Sequence, residues 1–489
     1  MSVKERMQRG VQASFLAQLA YIAANGALMI ALTRYLLTPR GYGLLNYALS
    51  ILGVTQLFVG IGVAKSGAKY VTEYLEKDPG QVPHVLKWSL AVMTALIVAV
   101  GAVYSLFAGR LASLLGEPGL DPLLLVGIGY LAFYSLGTYI RLVFQAFNRI
   151  TYSAFVHATE GVSRLLFAVG FVLAGLGAVG ALLGYVAGYV VAILVGGAVF
   201  FRKFYPQLEI GSEQEPGLRR RIVRYAVPLT ATSGADVLDK KVDTILIGIL
   251  LNATAVGYYA LAKQISTFAV VPASSIDSTI APRMGEQKAS DQIDRAAEIY
   301  QFSFRHVLLL YVPAAVGLVL VAEPAVRHIF GRSYLPAVPV VQVFGLFVVI
   351  NAVNKITTNS LDYLGLGRER AIANGTTSIG NALLNLALIP VFGVVGAAIA
   401  TVFTHSAYML LNVYYIHREL SLNLRRLTVN TVLIGGIAVA MGAAVAVLLP
   451  LVSSLLSLAL VIGTGVVVWA VLAVFSGVLD VSQVRSALA

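Results

Sequence analysis

The chain has 489 residues, of which 58% are hydrophobic and 12% are charged, with no cysteine and a formal net charge of +12. Soluble proteins of this size carry about 45–50% apolar and about 25% charged residues. A soluble cytoplasmic enzyme, a disordered chain and a disulfide-stapled secreted module are therefore excluded. The absence of cysteine also excludes thiol catalysis, iron–sulfur clusters and thiolate zinc sites. The composition indicates an integral membrane protein.

Apolar windows of the length that crosses a bilayer as a helix, about 20 residues, recur along the whole chain. Leucine, valine, alanine and glycine fill them without strict alternation, which disfavours a β-barrel. The sequence therefore predicts an all-α polytopic membrane protein of about fourteen transmembrane helices. The predicted spans are 11–36, 44–64, 86–107, 122–147, 152–175, 179–201, 222–250, 255–281, 302–322, 337–361, 371–389, 395–416, 427–449 and 455–475.

Lysine and arginine placement predicts the orientation, because cytoplasmic connections collect positive charge. With the N-terminus inside, most of the 35 basic residues fall on the inner side, and the outer connections receive only Arg34, Arg40, Arg110, Arg327 and Arg332. A multi-pass protein of the cell membrane with both termini in the cytoplasm is expected. The positive surplus then reflects topology, so no nucleic-acid partner is expected. The longest inner connections, 65–85 and 202–221, are too short to bury a core of their own.

The two halves of the chain resemble each other at an offset of about 215 positions. Each match falls at the same place in the order of spans. This repeat predicts two six-helix lobes related by a pseudo-two-fold axis along the membrane normal, with a cleft between them. The predicted lobes are 1–212 and 213–420, and 421–489 adds two transmembrane helices. The matching segments are LLTPRGYG at 36–43 with LLNATAVG at 250–257, Leu115–Gly116 with Phe330–Gly331, and GAVGALL from Gly177 with GVVGAAI from Gly393.

Charged residues inside a span cost several kcal/mol unless they pair or face water, so they mark functional positions. Span seven, 222–250, carries Asp236, Asp239, Lys240 and Asp243 within a wedge of about 100°. The spacing allows ion pairs of Lys240 with Asp236 and with Asp243. This face is expected to line the central cavity and to couple transport to a proton or a sodium ion. The alternative is a neutralised network that only holds span seven to its neighbours.

Isolated cations in other spans point to an anionic substrate. Arg164, Lys263 and Lys355 lack an obvious acidic neighbour in the sequence, so a phosphate or diphosphate is expected to supply the counter-charge. Arg141 is a further candidate, although Arg141 and Lys355 could instead snorkel to the membrane interface. The histidines show no metal-ligand spacing. Neither a metal nor a cofactor is expected.

Several stretches resemble one transporter family. LTRYLLTPRGYGLLNYALSI from Leu32 resembles the first helical hairpin of polysaccharide-biosynthesis flippases, and GLGRERAIANGTTSIGNALLNLALIPVFGVVGAAIAT from Gly365 resembles the same family more specifically. DTILIG from Asp243 and VGYYALAKQI from Val256 are similar to its seventh and eighth helices. The resemblance covers essentially the whole chain. It places the chain among the multidrug/oligosaccharidyl-lipid/polysaccharide exporters, and it identifies this superfamily better than the substrate.

The resemblance implies a membrane transporter rather than an enzyme, with two lobes working by alternating access. Its implied cargo is a polyprenyl phosphate- or diphosphate-linked oligosaccharide, moved from the cytoplasmic to the outer face for surface polysaccharide or glycoprotein glycan assembly. Cavity cations hold the phosphate headgroup in the superfamily, and Arg164, Lys263 and Lys355 are the positions that could match. Asp243 matches an acidic position of the seventh helix. Expected partners are this substrate, membrane lipids, a coupling proton or sodium ion, and glycan-assembly membrane enzymes.

Two alternatives remain open at this point. One is a cation-coupled exporter of drugs or other small amphiphiles, which twelve spans without unpaired cations would favour. The other is a membrane glycosyltransferase or polysaccharide polymerase, which needs acidic residues on long outer loops.

Helices thirteen and fourteen, which have no counterpart in the repeat, are expected to edge a groove for a lipid tail.

Overall fold

The computed structural model describes residues 3–208 and 213–479, and every regular element in these ranges is helical. The predicted all-α class is therefore confirmed. The segment 209–212, where the first predicted lobe ends, and the extreme termini, 1–2 and 480–489, lie outside the described residues. The α-helices are α1 Val3–Ala31, α2 Pro39–Val59, α3 Ile61–Lys77, α4 Val82–Leu114, α5 Asp121–Ala146, α6 Ile150–Phe171, α7 Gly177–Lys203, α8 Leu218–Leu250, α9 Ala253–Ala289, α10 Ile293–Ala325, α11 Val338–Tyr363, α12 Gly367–Leu420, α13 Leu424–Leu448 and α14 Leu455–Phe475.

Ten helical stretches in the described ranges are long and apolar enough to cross a membrane. Two of them, Ile150–Gln207 with 58 residues and Gly367–Leu420 with 54, are too long for one crossing, because about 20 helical residues span the hydrocarbon. Each contains a sharp break and holds two of the predicted spans. Predicted spans seven and eight correspond to α8 and α9, which are more polar. The protein is a multi-pass membrane protein, as predicted.

Predicted span two, 44–64, is not one continuous helix. Gly60 separates α2 from α3 and has a left-handed backbone conformation with φ of 116°. A Cβ at this position would lie 3.0 Å from the Cγ atom of Met93 on α4, so a side chain would be crowded as well as strained. The bend near the end of this span was not predicted, because a glycine within an apolar run gives no clear signal of a bend.

The two long stretches break at glycines that the repeat aligns. Gly177 has φ and ψ of 52° and −137°, and Gly393 has 59° and −140°. L-residues with a Cβ rarely adopt a positive φ of this kind, whereas glycine does so readily. The same unusual conformation at two aligned positions supports the predicted internal repeat.

The chain forms two compact units, Met1–Gly257 and Tyr258–Ala489. In the first unit α8 packs against α2 and α3, and Ser66 on α3 donates a 2.8 Å hydrogen bond to the Ile222 carbonyl on α8. In the second unit α10 packs against α11 and α13, and α13 packs against α14. The predicted lobe boundaries at 212 and 420 stay predictions.

The two longest predicted inner connections contact each other within the first unit. Gln81 Nε2 donates to the Glu213 carbonyl at 2.8 Å, and the Glu215 amide donates to Gln81 Oε1 at 3.0 Å. Arg221 Nη2 lies 2.6 Å from Glu215 Oε2 and donates to the Tyr74 hydroxyl at 2.8 Å. Hydrogen bonds from Arg221 and then from Tyr74 lower the pKa of Glu215. These contacts attach the start of α8 to α3.

Candidate functional site

A buried ion pair lies on α6 in the first unit. Arg164 is 4% exposed and Glu160 is 3% exposed, and Arg164 Nη1 donates to Glu160 Oε1 at 3.2 Å. Residues four apart lie on the same side of a helix, so the pair forms within one turn. The prediction that Arg164 lacks an acidic neighbour was therefore wrong. Removing one partner of such a pair would leave an uncompensated buried charge.

Residues of α1 and α7 complete the surroundings of the Arg164 guanidinium. Asn25 Oδ1 accepts a hydrogen bond from Arg164 Nη2, and Asn25 Nδ2 donates to the Tyr21 carbonyl at 2.8 Å. The guanidinium carbon lies 4.8 Å from the Tyr185 ring centroid and 5.4 Å from that of Tyr21. Cation–π attraction of this kind strengthens when water is excluded. The cation is thus held by a carboxylate, an amide and two aromatic faces.

Close helix packing seals this pair. A Cβ at Gly188 on α7 would lie 2.8 Å from the Cβ of Arg164 and 2.9 Å from the Glu160 carbonyl oxygen. On the other side of α6, a Cβ at Gly161 would lie 2.7 Å from the Tyr21 ring. Glycine at these two positions lets α1 and α7 approach α6 more closely than any other residue would allow. The burial of Glu160 and Arg164 follows from that approach.

Arg141 on α5 and His157 on α6 extend the pair. Arg141 Nη1 donates to His157 Nδ1, and the same His157 Nδ1 lies 3.2 Å from Glu160 Oε2. The Tyr21 ring stacks on the imidazole, with 3.7 Å between the ring centroids. Arg141, His157, Glu160 and Arg164 are called the Glu160 cluster below. With His157 neutral, two guanidinium groups face one carboxylate, so the cluster carries one surplus positive charge.

Two of these four residues, Arg141 and Arg164, were predicted from the sequence, and the structure brings both into one cluster. Glu160 was not predicted, although its spacing of four from Arg164 was a usable signal. His157 showed no signal beyond its residue type, because its partners come from α1 and α5 as well as α6.

The charged face predicted on α8 varies in exposure along the helix. Asp236 and Lys240 are exposed and Asp239 is half-buried, whereas Asp243 is only 1% exposed. The turn after Asp243 packs tightly on α2, since a Cβ at Gly248 would lie 2.2 Å from the ring of Tyr47. Of these four charges, only that of Asp243 is held inside the first unit.

The remaining predicted cations, Lys263 and Lys355, belong to the second unit. Lys263 on α9 is half-buried, with Nζ 5.4 Å from the Tyr259 ring centroid. The Tyr259 hydroxyl lies 3.1 Å from Thr401 Oγ1 on α12, a hydrogen-bonding distance. Lys355 on α11 is exposed. Among the described residues no group of three or more histidine, aspartate or glutamate side chains is placed to hold a metal ion.

An apolar groove of about 330 Å³ lies on the second unit between α10, α13 and α14. Its lining includes Pro313 and Gly317 on α10, Met441 on α13 and Trp469 on α14. Trp469 Nε1 donates to the Leu309 carbonyl at 3.1 Å, which fixes α14 against α10. Helices thirteen and fourteen therefore edge an apolar groove, and its use by a lipid tail stays a prediction.

Two protein-family models and several known proteins match this chain. The polysaccharide biosynthesis protein model matches residues 8–288, and the MatE model matches residues 237–391. The chain is 26% identical over 180 residues to the probable low-salt glycan biosynthesis flippase Agl15 of Haloferax volcanii, which is 37% of this chain and 38% of that protein. The matched region therefore spans well under half of this relative.

The chain is also 24% identical over 414 residues to the lipopolysaccharide biosynthesis protein WzxC of Escherichia coli K12, covering 82% of this chain and 77% of WzxC.

A solved structure shares the fold over almost the full length. The lipid II flippase MurJ, in an inward closed conformation, matches with a TM-score of 0.78 at 13% sequence identity. The match covers 95% of this chain and 98% of that chain. The chain therefore has the fold of this transporter, but a sequence identity of 13% does not identify its substrate.

Proposed function

The chain belongs to the polysaccharide biosynthesis protein family, and we propose that it is a flippase for a polyprenyl phosphate- or diphosphate-linked oligosaccharide. It moves this substrate from the cytoplasmic to the outer face of the cell membrane by alternating access. The product serves surface polysaccharide or glycoprotein glycan assembly, beside the membrane enzymes of that process. The lobes are 1–212 and 213–420, with accessory helices in 421–489, and both termini lie in the cytoplasm.

The observation that carries the proposal is the surplus positive charge of the Glu160 cluster. Arg141 and Arg164 have one carboxylate between them, and Arg164 is bonded to it inside the sealed pair. A phosphate oxygen would balance the charge of the Arg141 guanidinium, which is half-buried and lies outside that pair. In the second unit, Lys263 and Lys355 stay proposed contacts of a substrate phosphate.

The apolar groove between α10, α13 and α14 fits the other end of such a substrate. Its lining at Pro313, Gly317, Met441 and Trp469 offers an alkenyl chain contact without a polar partner to desolvate. The charged headgroup and the apolar tail would then use separate surfaces of the protein. Asp243, with its neighbours Asp236, Asp239 and Lys240 on α8, is proposed to take part in coupling to a proton or a sodium ion.

The experiment that tests the proposal is deletion of the gene in its own organism, followed by mass spectrometry of lipid-linked glycans. A flippase defect leaves the complete lipid-linked oligosaccharide on the cytoplasmic leaflet, where an impermeant oxidant does not reach it from outside. Expression of the wild-type chain should clear the accumulated species and restore surface glycans. No accumulation, together with intact surface glycans, would contradict the proposal.

A second candidate is a cation-coupled exporter of small amphiphiles. The MatE match over residues 237–391 favours it, since this region includes part of α8 and its acidic face. Cationic dye efflux from cells that express the chain separates the two functions. Dye efflux with no change in lipid-linked glycans would favour the exporter, whereas the reverse result favours the flippase.

A further inference from the structure

One ring nitrogen of the Glu160 cluster faces two groups that require opposite protonation states. Arg141 Nη1 can donate to His157 Nδ1 only when this nitrogen has a free lone pair. Glu160 Oε2, 3.2 Å from the same nitrogen, accepts a hydrogen bond only when Nδ1 carries a proton. The position therefore has a defined partner for each state of the imidazole. Histidine is the side chain whose charge changes between about pH 5 and 8.

We propose that His157 is a proton-binding site that exchanges Arg141 for Glu160 as its partner. In the neutral imidazole the proton is on Nε2, and Nδ1 accepts from Arg141; when a second proton binds at Nδ1, the imidazolium donates to Glu160. The stacking of Tyr21 on the imidazole holds the ring plane, so the exchange needs movement of the Arg141 side chain rather than a turn of the ring. The ionisable groups that face this cluster are Tyr21 from α1, Tyr130, Tyr134 and Arg141 from α5, Glu160 and Arg164 on α6, and Tyr185 and Tyr189 from α7.

Of His157, Glu160 and Arg164, His157 is the most accessible to water. The His157 side chain is 22% exposed, against 4% for Glu160 and 5% for Arg164. A proton arriving from water thus reaches the imidazole first. Glu160 is held as a carboxylate by Arg164, and the arginines do not titrate in the physiological range. The site is a single proton acceptor at the edge of a sealed ion pair.

Proton binding changes what the cluster attracts. The surplus charge rises from one positive charge to two when His157 is protonated, so an anion binds the protonated form more tightly. By linkage, a bound anion also favours proton uptake by the same factor, on the order of tenfold. This consequence rests on the proposed function, because it takes the anion to be the substrate headgroup. The proton site itself depends only on the geometry of His157.

The proton site is tested by nuclear magnetic resonance of the full chain in lipid nanodiscs with 15N-labelled histidine. The His157 signals are those lost in His157→Gln. At pH 9 the His157 Nδ1 signal should be that of an unprotonated nitrogen and the Nε2 signal that of an N–H, whereas at pH 5 both nitrogens should be N–H; an unprotonated Nε2 at pH 5 would mean a change of tautomer and would overturn the proposal. His306 and His328 are internal controls, because their Nδ1 atoms face the Phe302 and Pro324 carbonyls at 2.7 and 2.9 Å and should carry a proton throughout.

A second variant tests the exchange of partners. In Arg141→Gln the competing cation is absent, so His157 Nδ1 should carry its proton already at pH 9 and donate to Glu160. A wild-type His157 that keeps Nδ1–H at pH 9, or that shows the same form at pH 9 and pH 5, would overturn the proposal. An unchanged tautomer in Arg141→Gln would also count against it.

Complementation of the deletion strain tests the coupling. Wild-type chain, His157→Gln and His157→Phe are compared at external pH 6 and 8, with membrane abundance measured for each. His157→Phe keeps an aromatic ring for Tyr21 and loses the nitrogen, so it controls for packing. Loss of pH dependence in both variants supports coupling, and wild-type behaviour in both overturns it while the flippase function stands. If the wild-type chain restores no glycan, the proposed function fails, and the resonance measurement alone decides the proton site.

Discussion

Replacing Arg164 with methionine should destabilise the first unit strongly. The substitution removes the only guanidinium bonded to Glu160 in the described ranges and leaves the Glu160 carboxylate, 3% exposed, without its cation. Breaking a buried ion pair by removing one partner typically costs about 3–5 kcal/mol. The lost hydrogen bond to Asn25 adds to this. We therefore expect a loss of about 3–5 kcal/mol in the free energy of unfolding.

The companion variant removes both charges. Glu160→Leu with Arg164→Met fills the same space between α1 and α7 with apolar atoms, and such replacements are often neutral or stabilising by about 1–4 kcal/mol. The double variant should therefore recover most of the stability that Arg164→Met loses. It should not recover flipping, because the cluster then has neither the second guanidinium nor the carboxylate partner of His157. The double variant therefore distinguishes a loss of transport from a loss of stability.

The chain offers a convenient reporter for this measurement. It has two tryptophans, Trp88 on α4 in the first unit and Trp469 on α14 in the second. In a Trp469→Phe background, the fluorescence of Trp88 follows unfolding of the first unit in detergent. Lys355→Met, an exposed cation of the second unit, is the control and should stay within about 0.5 kcal/mol of the parent. A loss below about 1 kcal/mol for Arg164→Met, or a double variant less stable than the single, would refute the reasoning.

Four other outcomes follow from the structure. Asp243→Asn should reduce glycan flipping at least tenfold in the complementation assay, whereas the exposed Asp236→Asn should stay within about twofold; equal effects would remove the special role of the buried position. Gly393→Ala should cost about 1–3 kcal/mol of unfolding free energy by strain at positive φ, which thermal denaturation measures, and an unchanged midpoint would contradict the strain. Gly317→Leu should fill the apolar groove and lower flipping while leaving thermal stability near that of the wild type; undiminished flipping would argue that no tail binds there. Hydrogen bonds from Arg221 and Tyr74 lower the pKa of Glu215 in the folded protein. The Glu215 carboxylate therefore stabilises the connection before α8 at pH values above its unfolded pKa, and this stabilisation is lost as the pH falls through the folded pKa. Protection of the backbone amides of residues 213–217 against hydrogen exchange should drop in acid, and protection that does not depend on pH would speak against the attachment.

The spans were predictable because hydropathy depends on composition, whereas their breaks depend on three-dimensional contacts. Residues 44–64 form an apolar run, yet Gly60 divides it, and the crowding by Met93 at this position is visible only in the fold. The break at Gly177 lies between two predicted spans, so the prediction there agrees with the structure. The repeat aligns Gly177 with Gly393, but the similar backbone angles of the two glycines could not be read from the sequence.

The candidate site was predictable only in its charges. A charged residue within an apolar span is conspicuous, and this led to Arg141, Arg164 and Asp243. Side-chain contacts between helices cannot be predicted from the sequence in the same way, because they depend on which faces of α1, α5 and α7 contact α6. Tyr21 and His157 are far apart in the chain, and their stacking results from the close approach of α1 to α6 at Gly161.

The matched helix breaks at Gly177 and Gly393 also indicate how the two halves of the chain arose in evolution. Two segments of one chain share nearly the same rare pair of backbone angles, and they are identical at four of the seven positions that begin at these glycines. The simplest history is duplication of a six-helix ancestor in which this break was already present. An ancestral half-length protein, if reconstructed, should carry glycine at this position.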